Sequence, residues 1–297
     1  MTKTAWVFPG QGSQKIGMGI DLLDLPSAQA KFEKANEILG WSITEICETQ
    51  EEKLSQTLYT QPCLYVVESL LADEMFAHSF QPDIVAGHSL GEYVALYVAG
   101  VFDFETGLKL VKKRAEFMNN ATGGQMKALM GFDRKQLEEE LQQTPNVVLA
   151  NDNNSAQVVI SGTPEAVETL LSKIKVKREV KLNVSGAFHS HLMESASTEF
   201  QQILESVKFA DAKFPIISNF EPIATTDAAT IKKRLTQQMT NGVRWRETSL
   251  EMQKEEVEKV IEIGPGKVLT GIIKRTCPDF KLVNVSSLKD IKISVKS

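Results

Sequence analysis

The pentapeptide Gly87-His88-Ser89-Leu90-Gly91 decides how the chain is expected to fold around it. Residues 83–86 predict a short buried strand before it, and residues 92–99 predict a helix that ends at Gly100. A G-x-S-x-G pattern between a strand and a helix is typical of a nucleophile elbow, a tight turn that exposes a serine hydroxyl. The flanking glycines let strand and helix pack closely, and the helix N-terminus faces the charge that develops during attack. Ser89 is therefore predicted to be a nucleophile rather than a helix cap.

The composition is that of an ordinary globular protein. Of the 297 residues, 42% are hydrophobic and 24% are charged, which suffices for a sizeable core in one large domain or two. The net charge of −5 gives no indication of nucleic-acid binding. A short basic run at residues 173–178 predicts a solvated surface or a weak patch for an acidic partner.

The chain shows no signal for export or for a membrane. The apolar stretch before Pro9-Gly10 is too short for a signal peptide, and no run approaches the roughly 20 apolar residues of a membrane span. Cys47, Cys63 and Cys277 are odd in number, widely spaced and without a metal-ligand or C-x-x-C pattern. We therefore expect free thiols, a cytoplasmic protein, no membrane contact and no bound metal.

Two regions differ in their element pattern. Residues 125–190 predict β-α-β-β-α-β, the ferredoxin-like unit, with strands at 127–132, 147–151, 157–161 and 180–184 and helices at 134–141 and 165–174. On either side, strands and helices alternate as in a parallel sheet covered on both faces, with the first two long helices predicted at 22–39 and 62–76. The predicted fold is α/β: residues 1–124 and 191–297 form a catalytic domain, and residues 125–190 form an inserted α+β subdomain.

A serine nucleophile needs a base, and the chain offers four histidines. His88 adjoins Ser89 and is interpreted as a packed support residue, because neighbouring side chains diverge at such a turn. His78 ends a helix and is interpreted as a surface or capping residue. His189 and His191 lie where the small region returns to the large one, which is where a site between two domains would form. Spacing alone does not choose between these two.

Four motifs, in this order, resemble the malonyl-CoA:acyl-carrier-protein transacylases from residue 5 to about residue 275. They are Phe8-Pro-Gly-Gln-Gly-Ser-Gln14, Gly87-His-Ser-Leu-Gly-Glu92, Gly186-Ala-Phe-His-Ser190 with Leu192-Met193, and Glu262-Ile-Gly-Pro-Gly-Lys-Val-Leu-Thr270. The resemblance implies an α/β-hydrolase-like core with an inserted ferredoxin-like subdomain, in agreement with the element pattern.

The resemblance also implies roles for particular residues. Ser89 corresponds to the nucleophile and His189 to the general base, whereas His191 falls at a variable position of the motif. The backbone N–H groups of Gln11 and Leu90 correspond to the oxyanion donors. These roles explain why the N-terminal loop is rich in glycine, since glycines let it approach the elbow closely.

Two further positions follow from the same resemblance. Arg114 matches the arginine that holds the malonyl carboxylate, and its planar fork suits a carboxylate through two hydrogen bonds. Gln238 matches the residue whose backbone carbonyl orients the histidine, a neutral acceptor that fixes the tautomer. The segment Asn241-Gly242-Val243 departs from the family's usual Asn-Pro-Val.

The function implied is malonyl transfer. The enzyme would move malonyl from malonyl-CoA onto Ser89 and then to the phosphopantetheine thiol of acyl carrier protein, for fatty acid synthesis, as a monomer without a metal or redox cofactor. The alternatives are an acyl-thioester hydrolase, a stand-alone acyltransferase of a polyketide pathway, and a non-enzymatic docking protein on the same fold. A buried Arg114 argues against a general esterase, and the complete serine and histidine motifs argue against a docking protein.

Overall fold

The protein combines two sheets with helices packed around them. The computed structural model describes residues 2–294. The strands are β1 (Thr4–Phe8), β2 (Ile84–Gly87), β3 (Gln125–Phe132), β4 (Val147–Asn154), β5 (Gln157–Gly162), β6 (Val176–Lys181), β7 (Ile216–Ile217), β8 (Lys259–Ile263) and β9 (Lys281–Val285). The helices are α1 (Pro26–Leu39), α2 (Ile43–Thr49), α3 (Glu51–Leu54), α4 (Thr57–Ala77), α5 (Gly91–Val98), α6 (Phe104–Asn120), α7 (Arg134–Gln143), α8 (Pro164–Lys173), α9 (Glu194–Ser206), α10 (Ala228–Gln237), α11 (Trp245–Lys254), α12 (Val268–Thr276) and α13 (Leu288–Ser294).

The larger sheet is parallel and has the order β7-β2-β1-β8-β9. Its strands are short and apolar because helices cover both faces. Along β1, Trp6 and Phe8 enter one hydrophobic cluster, while Ala5 and Val7 enter the cluster on the opposite face. The expected parallel sheet with helices on both faces is confirmed. No helix within residues 2–294 has the length and apolar character needed to cross a bilayer.

The smaller sheet is antiparallel and has the order β4-β5-β3-β6. It is formed by the expected β-α-β-β-α-β unit, and α7 and α8 share with it a separate cluster that includes Leu129, Leu137 and Leu170. Its strand order is that of a ferredoxin-like unit, so the predicted second sheet is confirmed. The boundaries at 124/125 and 190/191 stay a prediction, and residues 1 and 295–297 of the outer region lie outside the described residues.

Several predicted element limits were wrong. The last strand of the small sheet spans Val176–Lys181 rather than 180–184, because an edge strand is held by hydrogen bonds to β3 and needs little apolar sequence. The predicted helix 22–39 is divided: a 3₁₀ turn at Ile20–Asp24 precedes a helix that begins at Pro26, which suits a first helical position. The helix predicted at 62–76 begins earlier, at Thr57, and contains Pro62.

Strand β4 attaches the small sheet to the large region. The N–H of Asp152 donates to the Val243 carbonyl (2.9 Å), and the N–H of Val243 donates to the Ala150 carbonyl (2.8 Å). The Asp152 carboxylate also bridges Arg134 of α7 (2.8 Å) and Arg246 of α11 (3.0 Å). These contacts fix the small region against the large one. A cleft lies between the two regions, and the Ser89 turn faces it.

Candidate active site

The elbow has the backbone that its glycines predict. Ser89 has φ 52°, a left-handed conformation in which a non-glycine residue is strained. A Cβ on Gly87 would lie 1.9 Å from the Gly91 carbonyl carbon, and one on Gly91 would lie 2.0 Å from the Phe8 carbonyl oxygen. Both positions therefore require glycine. The close packing of β1, β2 and α5 presents the Ser89 hydroxyl at the carboxyl end of the sheet.

The structure brings His189, rather than His191, to the serine. The Ser89 hydroxyl donates to Nε2 of His189 at 2.8 Å, although the two residues are 100 positions apart. Nδ1 of His189 donates to the carbonyl oxygens of Gln238 (2.9 Å) and Asn241 (3.2 Å). Two carbonyl acceptors require the proton on Nδ1, so Nε2 is free to accept. Burial, and then the charge of Arg114, lower the pKa of His189 to about 3, so the ring is neutral at physiological pH.

Two backbone donors are available for an oxyanion. Within residues 2–294, neither the N–H of Gln11 nor that of Leu90 donates to another protein group. The N–H of Ser89, by contrast, donates to Oδ1 of Asn219 at 2.7 Å. The Gly-rich loop approaches the elbow closely, since a Cβ on Gly10 would lie 2.5 Å from the His88 carbonyl oxygen. The side chain of Gln11 donates to the Thr57 hydroxyl at 3.0 Å, which secures that loop to α4.

Arg114 reaches the Ser89 hydroxyl from α6. Its side chain is fully buried, and Nη2 donates to the Ser89 hydroxyl oxygen at 3.0 Å and to Oε1 of Gln238 at 3.1 Å. Nη1 donates to Oε1 of Gln61 at 2.7 Å, and the Tyr93 ring lies 5.4 Å from the guanidinium carbon. Among the described residues Arg114 forms no ion pair. Burying a cation without a carboxylate partner is costly, so this arrangement is poised for an anionic ligand.

A buried polar network behind these groups was missed by sequence reasoning. Nε2 of Gln238 donates to Oε2 of Glu92 (2.7 Å) and to the Ser89 carbonyl oxygen (2.9 Å). The N–H of Asn219 donates to the same Glu92 oxygen (3.3 Å), and its Nδ2 donates to the Gly87 carbonyl oxygen (2.6 Å). Burial raises the pKa of Glu92 to about 7, against the opposing effect of these hydrogen bonds and of the Arg114 charge. Membership of the elbow motif is the one sequence feature that points to Glu92, and no sequence feature points to Asn219.

The remaining histidines make no hydrogen bond to the Ser89 hydroxyl within residues 2–294. Nε2 of His88 lies 3.0 Å from Oδ1 of Asn153 on β4, and burial lowers the pKa of His88 to about 4, which fits a neutral supporting side chain. His191 is exposed and contacts Asn146 at 3.2 Å. His78 lies at the C-terminal end of α4. Within residues 2–294 there is no cluster of three or more histidine, cysteine, aspartate or glutamate side chains able to hold a metal ion.

The cavity in front of Ser89 has a volume of about 70 Å³ and lies between the two regions. The large region supplies Gln11, Gln61, Ser89 and Arg114, and residues 125–190 supply His189 and Asn151. The other lining side chains from residues 125–190 are apolar, namely Met126, Leu182, Val184 and Phe188. A larger groove of about 740 Å³ on the outer face of α6 contains none of the reactive groups. The small cavity thus combines a serine hydroxyl, a neutral imidazole, two backbone N–H groups and a guanidinium that has no ion pair within residues 2–294.

The chain is similar to known proteins over nearly its whole length. The model of the acyl transferase domain matches residues 5–292. A malonyl CoA-acyl carrier protein transacylase of Synechocystis is 55% identical, covering 97% of this chain and 99% of that protein. A polyketide biosynthesis transacylase of the same activity name from Bacillus subtilis is 42% identical, with 92% and 97% covered.

Solved structures agree with these relatives. The crystal structure of the Synechocystis malonyl-CoA:ACP transacylase has a TM-score of 0.96 at 54% identity, covering 98% of this chain and 99% of that one. A malonyl-transacylase solved in complex with its type II PKS acyl-carrier protein has a TM-score of 0.93 at 32% identity, with 99% of each chain covered. The chain belongs to the acyl transferase domain family and, within it, to the malonyl-CoA:acyl-carrier-protein transacylases.

Proposed function

We propose that the protein transfers malonyl from malonyl-CoA to the phosphopantetheine thiol of acyl carrier protein through a malonyl-Ser89 intermediate, and that this supplies fatty acid synthesis. The observation that carries the proposal is the buried guanidinium of Arg114, which has no ion pair within residues 2–294 and lies 3.0 Å from the Ser89 hydroxyl. Malonyl differs from acetyl by one carboxylate, and a fixed planar cation beside the nucleophile is the group that distinguishes them.

The geometry supports the first half-reaction. Nε2 of His189 takes the hydroxyl proton as Ser89 Oγ attacks the thioester carbonyl. The N–H groups of Gln11 and Leu90 stabilise the negative oxygen of the tetrahedral intermediate. The carbon–sulfur bond then breaks, and the proton on His189 passes to the departing thiolate of coenzyme A. Malonyl remains on Ser89 with its carboxylate on Arg114.

The second half-reaction uses the same groups in reverse. His189 takes the proton of the carrier's thiol, the thiolate attacks the malonyl ester, and Ser89 leaves with the proton returned by His189. Serine, histidine and two backbone donors supply each of these steps, so we propose that no metal or redox cofactor takes part. The cytoplasmic location expected from the sequence is part of the same proposal.

The alternative functions are less well supported. An esterase acting on uncharged acyl groups would leave the Arg114 cation buried and unpaired in the substrate complex, which is costly. For the polyketide alternative, the relative named for that role is 42% identical, against 55% for the Synechocystis transacylase, whose name carries no polyketide role. The buried cation favours malonyl transfer over esterase activity, and the higher identity to the Synechocystis transacylase favours the fatty acid pathway over the polyketide one.

Intact-protein mass spectrometry tests the proposal directly. After mixing with malonyl-CoA, the protein should gain one malonyl group, which peptide mapping should place on Ser89. Adding holo acyl carrier protein should remove that group and produce malonyl-carrier in preference to free malonate. Ser89→Ala should gain nothing. Acylation of the Ser89→Ala protein, or hydrolysis faster than transfer with carrier present, would contradict the proposal.

The basic stretch around β6 is proposed to guide the carrier. Lys175, Lys177 and Arg178 are exposed, whereas Lys173 forms an ion pair with Glu140 at 3.2 Å. Leu182 and Val184, which follow this stretch, line the site cavity. An acidic carrier drawn to this surface would therefore meet the cleft.

Charge reversal tests this surface. Lys177→Glu with Arg178→Glu should raise the KM for the carrier about tenfold and weaken its salt dependence, because electrostatic steering is lost. The KM for malonyl-CoA should change little. Lys135→Glu is the matched control, since its side chain is 87% exposed on α7 of the same region. Equal effects of the double variant and the control would rule the surface out.

A further inference from the structure

We propose that Glu92 is a positioning residue that sets how strongly Arg114 holds the malonyl carboxylate, acting through the side-chain amide of Gln238. The inference rests on the proposed function and adds to it a group that does not touch the substrate. It assigns a purpose to a fully buried carboxylate that the chemical steps do not use.

The hydrogen bonds give Glu92 control of one amide. Gln238 lies between two opposite charges: its Nε2 donates to Glu92 at 2.7 Å, and its Oε1 accepts from Arg114 at 3.1 Å. An amide that donates to an anion on one side must present its oxygen on the other. Glu92 therefore fixes the side of Gln238 that meets Arg114. Its other contact, with the N–H of Asn219, reaches the elbow, since Asn219 accepts from the Ser89 N–H.

The charge of Glu92 also affects how tightly the site binds the malonyl carboxylate. In the free enzyme the Arg114 cation has no ion pair among the described residues, and the Glu92 carboxylate lies one amide group away. When malonyl binds, a second carboxylate enters this buried region. An ionised Glu92 then opposes it, and a neutral Glu92 does not. The same cation thus selects malonyl while the nearby anion keeps the complex weak enough to release the acyl group.

The titration of Glu92 makes this measurable. Burial raises its pKa to about 7, so the carboxylate is neutral below that pH and charged above it. The malonyl carboxylate should therefore bind more weakly as pH rises from 6 to 8. The other ionisable groups facing this network keep one charge state there: Arg114 stays charged, burial raises the pKa of Tyr93, and the pKa of His189 is lowered to about 3. His88, with its pKa near 4, stays neutral as well.

The experiment compares binding of malonyl-pantetheine and acetyl-pantetheine to the Ser89→Ala protein by calorimetry between pH 6 and pH 8. These probes lack the phosphates of coenzyme A, so their own charge is constant over the range. The ratio of the two affinities should fall about tenfold from pH 6 to pH 8, the effect of one charge about an amide group away. Adding Glu92→Gln, which keeps the acceptor oxygen and removes the charge, should make the ratio high and independent of pH.

Each outcome is decisive. A pH-independent ratio in the protein with Glu92, or a Glu92→Gln ratio that still falls with pH, overturns the inference. If Glu92→Gln does not fold, the pH profile with Glu92 present and the proton uptake on malonyl binding, measured in buffers of different ionisation enthalpy, decide the question alone. Failure to prefer malonyl over acetyl at any pH would instead overturn the proposed function.

Discussion

Replacing Arg114 by alanine removes the cation that faces the nucleophile. The guanidinium is fully buried and makes no ion pair with the described residues, so its charge is available to a ligand. The change leaves Ser89, His189 and the two oxyanion donors in place. We therefore expect malonyl transfer to collapse while acetyl transfer survives or rises.

The expected loss of malonyl preference follows from the number of guanidinium N–H groups that are free to bind the carboxylate. Of its five N–H groups, Nη1 uses one on Gln61, and Nη2 uses two on Gln238 and Ser89. Acylation of Ser89 weakens it as an acceptor, which leaves one N–H on each terminal nitrogen for a parallel pair with a carboxylate. Hydrogen bonds to a charged group contribute about 1.5–3 kcal/mol each, so the pair contributes about 3–6 kcal/mol. The malonyl-to-acetyl preference should fall roughly 10²- to 10⁴-fold, at about 1.4 kcal/mol per tenfold.

The assay is kcat/KM for malonyl-CoA and for acetyl-CoA, measured on the unmodified protein and on each variant. Arg114→Lys should restore little of the preference, because an ammonium cannot form the parallel pair of hydrogen bonds with a carboxylate. Lys113→Ala is the matched control: it removes a cation from the neighbouring position of α6, where Lys113 pairs with Glu116 on the surface. Its preference should be unchanged.

One result would refute the reasoning. If Arg114→Ala folds, as judged by its thermal unfolding, and keeps the malonyl preference, the carboxylate is held elsewhere. The buried guanidinium would then serve only to orient the Ser89 hydroxyl, and acetyl and malonyl transfer would fall together.

His189→Ala should lower the rate of malonyl transfer about 10²–10⁴-fold, the usual contribution of a general base, whereas replacing the exposed His191 by alanine should have a mild effect. A larger loss with His191→Ala would show that His189 is not the base. Because the pKa of His189 is lowered to about 3, its active neutral form persists on acidification. The kcat of acyl transfer should therefore not fall as pH drops through 6.5, and a fall there would show that the ring titrates normally. Gly91→Ala should abolish folding or activity, since its Cβ would lie 2.0 Å from a carbonyl oxygen, whereas Gly271→Ala, with nothing within 4 Å, should be neutral or stabilising by about 0.5–1 kcal/mol in thermal unfolding.

The amino-acid sequence determined the local features of this protein. The continuous apolar run of β1 and the strand-turn-helix around Ser89 depend on neighbours in the chain, and both are present in the structure. The β-α-β-β-α-β order of the small region is likewise predicted from the sequence, because each of its strands and helices is indicated by residues close together in the chain. Its last strand was misplaced because β6, an edge strand rich in charge, is defined by its partner β3 rather than by its own composition.

Tertiary structure alone decided which side chains meet. His189 approaches Ser89 from 100 residues away, and Gln238 meets Glu92 from 146 residues away, so spacing along the chain neither chooses between His189 and His191 nor reveals the network behind Arg114. The family resemblance implied the pairing of Ser89 with His189. The contacts of Glu92 with Gln238 and with Asn219 depend on how α5 packs against the segments that carry those two residues. Hydrogen bonds in a buried site depend on distances of a few tenths of an ångström, and these are fixed only when the two sheets and their helices are assembled.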